Sequence, residues 1–204
     1  MISSKPAAEA TATVADKIYL TASSLLQDSF RLAAKIHRSG FKPDFIIGIW
    51  RGGTPVGIAI QEYFEFIGVE TDHIAVRTSA YIGIGQRSKT IRVHGLHYVI
   101  DEANADDSLL IVDDVFDSGH SIEALLRELS SKMRLNMPRN VRIATPWYKP
   151  NNNQTQLKPD YYLHETDQWI VFPHELAGLT LAEIEAGKTE LKPILDILKG
   201  AQSK

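Results

Sequence analysis

The chain has 204 residues, 44% of them hydrophobic, which is enough for one substantial core and a small appended lobe. Its formal net charge is −3 and it has no long basic run, which argues against general nucleic-acid binding. It contains no cysteine, no apolar stretch of membrane-spanning length and no signal-peptide core, so we expect a cytoplasmic protein without disulfides, thiolate metal sites or a membrane partner.

The first predicted element is a helix that follows a flexible extension. Residues 1–16 are rich in Ala, Ser and Thr without apolar periodicity, so we expect the folded domain to occupy 17–204. Thr21 or Ser24 is predicted to cap the helix, and Gly40 to end it. One face carries its apolar residues, Leu25, Leu26, Phe30, Ala33 and Ile36.

A buried strand and a double glycine come next. The apolar run 45–49 predicts a parallel strand, and the spacing of Val56, Ile60 and Phe64 predicts the following helix. Between them, Arg51-Gly52-Gly53 permits backbone conformations that other residues avoid and lets a ligand approach closely, while Arg51 can meet an anion. A tight turn with an exposed arginine is the alternative interpretation.

The segment from 74 to 107 is less regular. A strand is predicted at 74–76, and the basic, glycine-containing stretch 77–92 predicts a mobile loop, with a solvated hairpin as the alternative. His94 and His97 lie three apart, but a glycine intervenes and no further ligand has suitable spacing, so we predict a surface turn rather than a zinc site. Residues 96–100 predict a short strand.

Three carboxylates follow the most strongly predicted strand, 109–112. Asp113 and Asp114 end this strand, and Asp117 opens a loop of small polar residues. A helix is predicted directly behind them from five apolar residues at helical spacing, Ile122, Leu125, Leu126, Leu129 and Met133. A helix N-terminus with free backbone N–H groups attracts a phosphate, and carboxylates accept from hydroxyls or bind a hard cation.

The remaining chain predicts one more strand and two C-terminal helices. The strand spans 141–145 and leads to Lys149-Pro150. A polar, asparagine-rich turn follows at 151–156, and further on stands the segment 167–175, Asp-Gln-Trp-Ile-Val-Phe-Pro-His-Glu. Thr180-x-x-Glu183 has the spacing of a capping box and begins the last helical region.

Residues 112–121, Val-Asp-Asp-Val-Phe-Asp-Ser-Gly-His-Ser, resemble the 5-phosphoribosyl 1-pyrophosphate (PRPP) motif of type I phosphoribosyltransferases. The resemblance implies that Asp113 and Asp114 hold the ribose hydroxyls, directly or through Mg²⁺, and that Asp117 is the general base near N7 of a purine. It also implies a 5′-phosphate site made largely by backbone N–H groups of Ser118, Gly119, His120 and Ser121.

Two more segments resemble PRPP-binding loops of this family. Arg51-Gly52 is similar to the pyrophosphate loop, in which the Arg–Gly peptide is often cis. Ser79, with Tyr81, is similar to a Ser-Tyr pair in the family's flexible loop, which shields the reactive sugar from water.

The acceptor is implied by a second resemblance, to bacterial and archaeal 6-oxopurine phosphoribosyltransferases. Their Lys-Pro and Asp-x-Trp segments correspond here to Lys149-Pro150 and 167–175. The lysine donates to the 6-oxo group, Trp169 stacks on the base, and main-chain carbonyls around Ile170 face C2. The final acid of the pattern, sometimes a metal contact, is Glu175, which is one methylene longer than the usual aspartate.

Together these resemblances cover about residues 18–178 and imply an α/β type I phosphoribosyltransferase fold. Its sheet is mostly parallel and flanked by helices, with a small hood lobe formed mainly by about 146–178. The implied activity is purine salvage, in which PRPP and hypoxanthine, guanine or xanthine give a nucleoside 5′-monophosphate and pyrophosphate with Mg²⁺. The implied assembly is a homodimer or homotetramer. The alternatives are a non-catalytic nucleotide-sensing regulator, or transfer to uracil, orotate or adenine.

Overall fold

The computed structural model describes residues 17–82 and 89–202. These form two compact units, a larger one from Ser23 to Asp167 and a smaller one made of the described residues on either side of it. The predicted extension 1–16 lies outside the described residues. The predicted hood, 146–178, is divided between the two units.

Ten strands and six α-helices are described. The strands are β1 (Lys17–Tyr19), β2 (Phe45–Trp50), β3 (Asp72–Ile82), β4 (Lys89–His94), β5 (Ser108–Val112), β6 (Val115–Phe116), β7 (Asn140–Ala144), β8 (Trp147–Tyr148), β9 (His164–Glu165) and β10 (Trp169–Val171). The helices are α1 (Ala22–Arg38), α2 (Gly53–Phe66), α3 (His97–Glu102), α4 (His120–Met133), α5 (Leu181–Gly187) and α6 (Leu195–Gln202), with short 3-10 turns at Arg134–Asn136, Pro150–Asn152 and Thr189–Ile194. None of these described helices is long and apolar enough to cross a membrane.

The larger unit is organised around a five-stranded sheet in the order β4-β3-β2-β5-β7. All neighbouring pairs are parallel except β3 and β4, which are antiparallel. A second, parallel sheet has the order β6-β8-β9 and pairs Phe116 with Tyr148. The carboxyl ends of the parallel strands, where ligands bind in open α/β sheets, therefore carry the predicted motifs.

The core of this unit lies around β5 and α4. The four residues 109–112 are fully buried, as expected for a parallel strand covered on both faces. From α4, Ile122, Leu125, Leu129 and Met133 join the same apolar cluster, which confirms the predicted helical spacing. α1 begins directly after Thr21, so Ser24 lies within its first turn, and Gly40 beyond its end has a φ of +84°.

Two local predictions are wrong. Residues 97–102 form helix α3 rather than part of a strand at 96–100, and its buried residues Leu96, Val99 and Ala103 have helical spacing. The predicted loop 77–92 is largely a hairpin, because β3 extends to Ile82 and β4 begins at Lys89. Residues 83–88, including the two glycines of that predicted loop, lie outside the described residues.

The smaller unit is built on a parallel pair of strands, in which Lys17 of β1 is the register partner of Trp169 of β10. Helix α5 begins with the predicted capping box. The Thr180 hydroxyl accepts from the Glu183 N–H, and the Glu183 carboxylate accepts from the Thr180 N–H. A buried lysine, Lys188, donates to the carbonyls of Phe172 and Pro173 and ties the chain after β10 to the end of α5.

Candidate active site

Two adjacent carboxylates stand at the carboxyl end of β5. The Asp114 N–H donates to Asp113 Oδ1 at 3.0 Å, and the Gly53 N–H also donates to the Asp113 carboxylate. Burial raises the pKa of Asp113 well above its ordinary value, and the charge of Asp114 raises it further. A cation or hydroxyl donors placed here would offset the repulsion between two ionised groups.

The double glycine after β2 lies directly against these acids. A Cβ atom on Gly52 would overlap the Asp114 carboxylate, and one on Gly53 would overlap the Val112 carbonyl and lie 2.8 Å from Asp113 Cα. The end of β5 therefore packs against this loop closely enough to require glycine at both positions, and the close approach of a ligand stays a prediction. A cis peptide is present at Trp50–Arg51, so the cis bond predicted at Arg51–Gly52 was placed one residue too late.

The loop between β6 and α4 forms one wall of a cavity of about 180 Å³, lined by residues 113–119 with Ser121 and Ile122. Gly119 has a φ of +82° and directly precedes the first residue of α4, His120. Glycine adopts this left-handed conformation at little steric cost, and turns of this kind before a helix are common in backbone anion sites. A helix of 14 residues thus begins at the predicted phosphate site.

The structure brings together Asp117 and Lys149, which the sequence predicted to share a substrate. Parallel pairing of β6 with β8 places them side by side, and the Lys149 N–H donates to the Phe116 carbonyl at 2.9 Å. Lys149 Nζ lies 3.8 Å from Asp117 Oδ2. The lysine side chain is 11% exposed and the aspartate side chain 49%, so a largely buried lysine lies beside a half-exposed carboxylate.

Ser79, predicted to bind PRPP, lies on β3 within the hairpin. Its register partner is Arg92, and its hydroxyl lies 3.2 Å from Nε2 of His94. Its contribution to PRPP binding stays a prediction, as does that of the exposed Arg51.

The other predicted base-site residues belong to the smaller unit. Trp169 is 54% exposed, and the Lys17 ammonium lies 5.1 Å from the centroid of its ring. Ile170 is buried. Glu175 Oε2 accepts from the Phe172 N–H at 3.1 Å within its own turn. The roles predicted for these three residues stay predictions.

A model of the family described as "Phosphoribosyl transferase domain" matches residues 17–178. The chain belongs to this family. Among curated proteins none matches the sequence.

Solved structures agree with the family. A purine phosphoribosyltransferase from Pyrococcus horikoshii is 30% identical, with a TM-score of 0.64 over 81% of this chain and 98% of its own. A hypothetical protein from Neisseria gonorrhoeae with bound ppGpp is 22% identical, with a TM-score of 0.66 over 85% and 97%. A xanthine-guanine-hypoxanthine phosphoribosyltransferase from Helicobacter pylori is 18% identical, with a TM-score of 0.61 over 85% and 98%. The predicted family and fold are therefore confirmed, the last two structures bearing on the fold alone.

Mg²⁺, implied by the family, fits the donor set of this phosphoribosyl transferase domain. Within the described part of the chain no three His, Asp or Glu side chains cluster as a complete metal cage. Mg²⁺ typically binds through one or two carboxylates, with the remaining ligands supplied by water and substrate phosphates. Asp113 and Asp114 provide such a pair beside the cavity.

Three residues of the asparagine-rich turn contact the site and were missed by sequence reasoning. The Asn152 side chain donates to Asp117 Oδ1 at 2.9 Å, and the Gln154 N–H donates to the Ser118 carbonyl at 3.0 Å. A Cβ built on Gly119 would lie only 2.5 Å from Thr155 Oγ1, so the Thr155 hydroxyl packs directly against this glycine. The polarity of the turn was visible in the sequence, but nothing in its spacing indicated these partners.

Proposed function

We propose that this protein is a Mg²⁺-dependent purine phosphoribosyltransferase that transfers the 5-phosphoribosyl group of PRPP to a 6-oxopurine and releases pyrophosphate. The observation that carries the proposal is the pair formed by Lys149 Nζ and Asp117 Oδ2, 3.8 Å apart beside the cavity at the start of α4. The name of the 30% identical relative supports a purine as acceptor.

The Lys149–Asp117 pair has the polarity of one edge of a 6-oxopurine. Lysine is a donor with no acceptor capacity, and an ionised carboxylate is an acceptor only. A 6-oxopurine carrying its proton on N7 presents N7–H and the O6 acceptor side by side, so both contacts are satisfied. Adenine would present its amino donors to the Lys149 ammonium, leaving a charged donor opposed by another donor.

The proposed reaction then assigns a role to each part of the site. N9 of the base attacks C1 of the ribose with its lone pair, the C1–O bond to pyrophosphate breaks, and pyrophosphate leaves with that electron pair. Asp117 accepts the proton from N7 as the positive charge spreads over the purine. Backbone N–H groups of 118–121 hold the 5′-phosphate, and Asp113 and Asp114 hold the ribose hydroxyls. Bound Mg²⁺ would lie at these two acids and neutralise charge on the pyrophosphate.

Other predicted features belong to this proposal without direct support from the described geometry. Stacking of the base on Trp169, a cytoplasmic location and a dimeric or tetrameric assembly stay predictions from the sequence. Arg51 and Gly52 are proposed to meet the pyrophosphate, in line with the close approach of that loop to Asp114.

Steady-state kinetics test the proposal. The protein is assayed with PRPP, Mg²⁺ and, in turn, hypoxanthine, guanine, xanthine, adenine, uracil and orotate. We expect turnover with at least one 6-oxopurine and weak or no turnover with the other bases. Binding of nucleotides without turnover of any base would instead indicate the non-catalytic regulator, and turnover confined to adenine or a pyrimidine would overturn the acceptor.

The Asp117→Asn variant tests the general base. The amide keeps the shape of the side chain but cannot take the proton, so we expect turnover to fall by about 10²–10⁴-fold. PRPP affinity, measured by calorimetry, should change modestly because the phosphate site is built from backbone groups. Turnover equal to that of the unsubstituted protein would remove Asp117 from the mechanism.

A further inference from the structure

The segment that follows Lys149 contacts the loop between β6 and α4 at successive positions. This loop, residues 117–119, with the first turn of α4 is called the phosphate loop below. The asparagine segment, defined here as residues 150–155, begins with the 3-10 turn Pro150–Asn152. Its Asn152 contacts Asp117, and its Gln154 donates from the backbone to the Ser118 carbonyl. The Gln154 side chain also lies 3.1 Å from Nε2 of His120. One short segment therefore contacts the loop from Asp117 to the first residue of α4.

The Asp117 carboxylate has a separate cationic or amide neighbour at each oxygen. Asn152 Nδ2 donates to Oδ1 at 2.9 Å, and Lys149 Nζ lies 3.8 Å from Oδ2. Both neighbours come from the same turn, since the Asn152 N–H donates to the Lys149 carbonyl at 3.2 Å. A carboxylate that is half-exposed on a loop can rotate about its side-chain bonds, and a fixed donor to one oxygen removes most of that freedom.

We propose that Asn152 is a positioning residue that holds Asp117 Oδ1, so that Oδ2 is presented next to the Lys149 ammonium as the proton acceptor. This inference rests on the proposed function, because it assigns Asn152 a task only if Asp117 takes a proton from the base. Asn152 would not touch the substrate. It would act on the reaction through the orientation of the carboxylate.

Other hydrogen bonds hold the asparagine segment in shape, and the following ones do not involve the Asn152 side chain. Asn153 Nδ2 donates to the Leu157 carbonyl at 2.7 Å, and Asn153 Oδ1 accepts from the N–H and the hydroxyl of Thr155. The neighbouring Asn151 donates to Asp167 at 2.5 Å. Removing the Asn152 amide should therefore leave the shape of the segment intact, which separates a positioning role from a structural one.

Asn152→Ala and its matched control Asn151→Ala provide the test. The two residues are adjacent, exposed and chemically identical, but their partners differ. With PRPP and the best 6-oxopurine, we expect kcat of Asn152→Ala to fall about three- to tenfold, which is less than the tenfold or more for losing a hydrogen bond to a charged group because water can replace the amide. KM for PRPP should stay within about twofold, and Asn151→Ala should change neither parameter by more than that.

Two further variants make the result specific. Asn152→Asp is nearly isosteric but replaces the donor with a like charge, so its kcat should fall further than that of Asn152→Ala. In an Asp117→Asn background, Asn152→Ala should change the residual kcat by less than about twofold, because the carboxylate it orients is gone. Thermal unfolding of each variant shows whether it is folded.

The outcomes separate this inference from the proposed function. If no 6-oxopurine is turned over by the unsubstituted protein, the proposed function fails and Asn152 loses its assigned task with it. If turnover is present and Asp117→Asn lowers it by about 10²-fold or more, the function stands. An Asn152→Ala variant that then matches Asn151→Ala in kcat, or whose effect is additive with Asp117→Asn, overturns the positioning role alone.

Discussion

Gly119 is the position at which a single methyl group should do most damage to the phosphate loop. Its φ of +82° is a left-handed conformation that costs an alanine about 1–2 kcal/mol. In addition, the Cβ of Gly119→Ala would lie 2.5 Å from Thr155 Oγ1 and 3.0 Å from the Phe116 ring. The variant therefore adds a steric conflict to the backbone strain.

The size of the steric part follows from what Thr155 must give up. Its hydroxyl donates to Asn153 Oδ1 at 3.0 Å and accepts from the Leu157 N–H at 3.2 Å. Turning the side chain away breaks both bonds, at about 0.5–1.5 kcal/mol each. We expect Gly119→Ala to lower the free energy of unfolding by about 2–5 kcal/mol in total.

The chain offers a matched control in Gly40, which has a φ of +84° and no atom within 4 Å of a built Cβ. Gly40→Ala carries the same backbone strain and the same stiffening of the unfolded chain without the contact, so it should cost about 1–2 kcal/mol. Urea denaturation measures both variants, and PRPP calorimetry should show weaker binding for Gly119→Ala alone. Adding Thr155→Ala to Gly119→Ala removes the contact between the new Cβ and the Thr155 hydroxyl. Thr155→Ala should therefore lower the free energy of unfolding less in the Gly119→Ala background than it does in the unsubstituted protein.

Equal free energies of unfolding for Gly119→Ala and Gly40→Ala would refute the steric argument. Additive effects of Gly119→Ala and Thr155→Ala would refute it as well, since two side chains that compete for one space cannot be independent.

Three further predictions address the remaining parts of the site and the smaller unit. Gly52→Ala should weaken PRPP binding at least about tenfold in calorimetry, because its Cβ displaces the Asp114 carboxylate; unchanged affinity would contradict this close approach. Lys149→Met should lower kcat/KM for 6-oxopurines by about 10²-fold through loss of a charged hydrogen bond while sparing PRPP affinity, and an equal loss of PRPP affinity would argue against a base contact. The pKa of Glu183 is lowered from 4.5 to about 2, first by its hydrogen bond to Lys17, so this carboxylate stabilises the fold above pH 4.5 and loses that contribution as the pH falls toward about 2. Urea midpoints of Glu183→Gln should therefore fall less steeply over this acid range than those of the unsubstituted protein, and parallel curves would contradict the assignment.

The parts of the fold that the sequence predicted are those with a local cause. Strands β2 and β5 are short apolar runs, which is the composition expected of parallel strands covered on both faces. Helix α4 has the 3.6-residue period over its whole length, and the capping box of α5 is defined by residues three apart.

The two elements that were predicted wrongly, β4 and α3, are determined by tertiary contacts rather than by local sequence. Strand β4, Lys-Thr-Ile-Arg-Val-His, is an edge strand with charged residues among its apolar ones, and it is stabilised by antiparallel pairing with β3 rather than by burial of both faces. Helix α3 is six residues long, and its run of three apolar residues, Tyr98-Val99-Ile100, does not distinguish a helix from a strand. In both cases the tertiary partner decides the structure.

The residues of the candidate site show the same difference between local and tertiary causes. Asp113, Asp114 and the loop up to Ser121 follow one strand and precede one helix, so their proximity was a property of one continuous motif. The placement of Lys149 against Asp117 required two strands to pair in parallel, and it could be anticipated because the resemblance supplied both residues. Asn152 had neither support, since its partner is 35 residues away and no motif includes it.

This difference bears on how the site combines a sugar-phosphate donor with a base. In the proposed reaction the loop holds the 5′-phosphate by the backbone N–H groups of residues 118–121, whereas proton transfer depends on the direction of one carboxylate. A carboxylate in the loop cannot be oriented by the loop's own backbone without using N–H groups that the phosphate needs. Asn152 lies outside the loop, so it can orient the Asp117 carboxylate and leave those N–H groups free for the phosphate. Because Asn152 is in the same turn as Lys149, it also links the position of the carboxylate to that of the lysine. If that is the function of the asparagine segment, substitutions in it should alter turnover before they alter PRPP affinity.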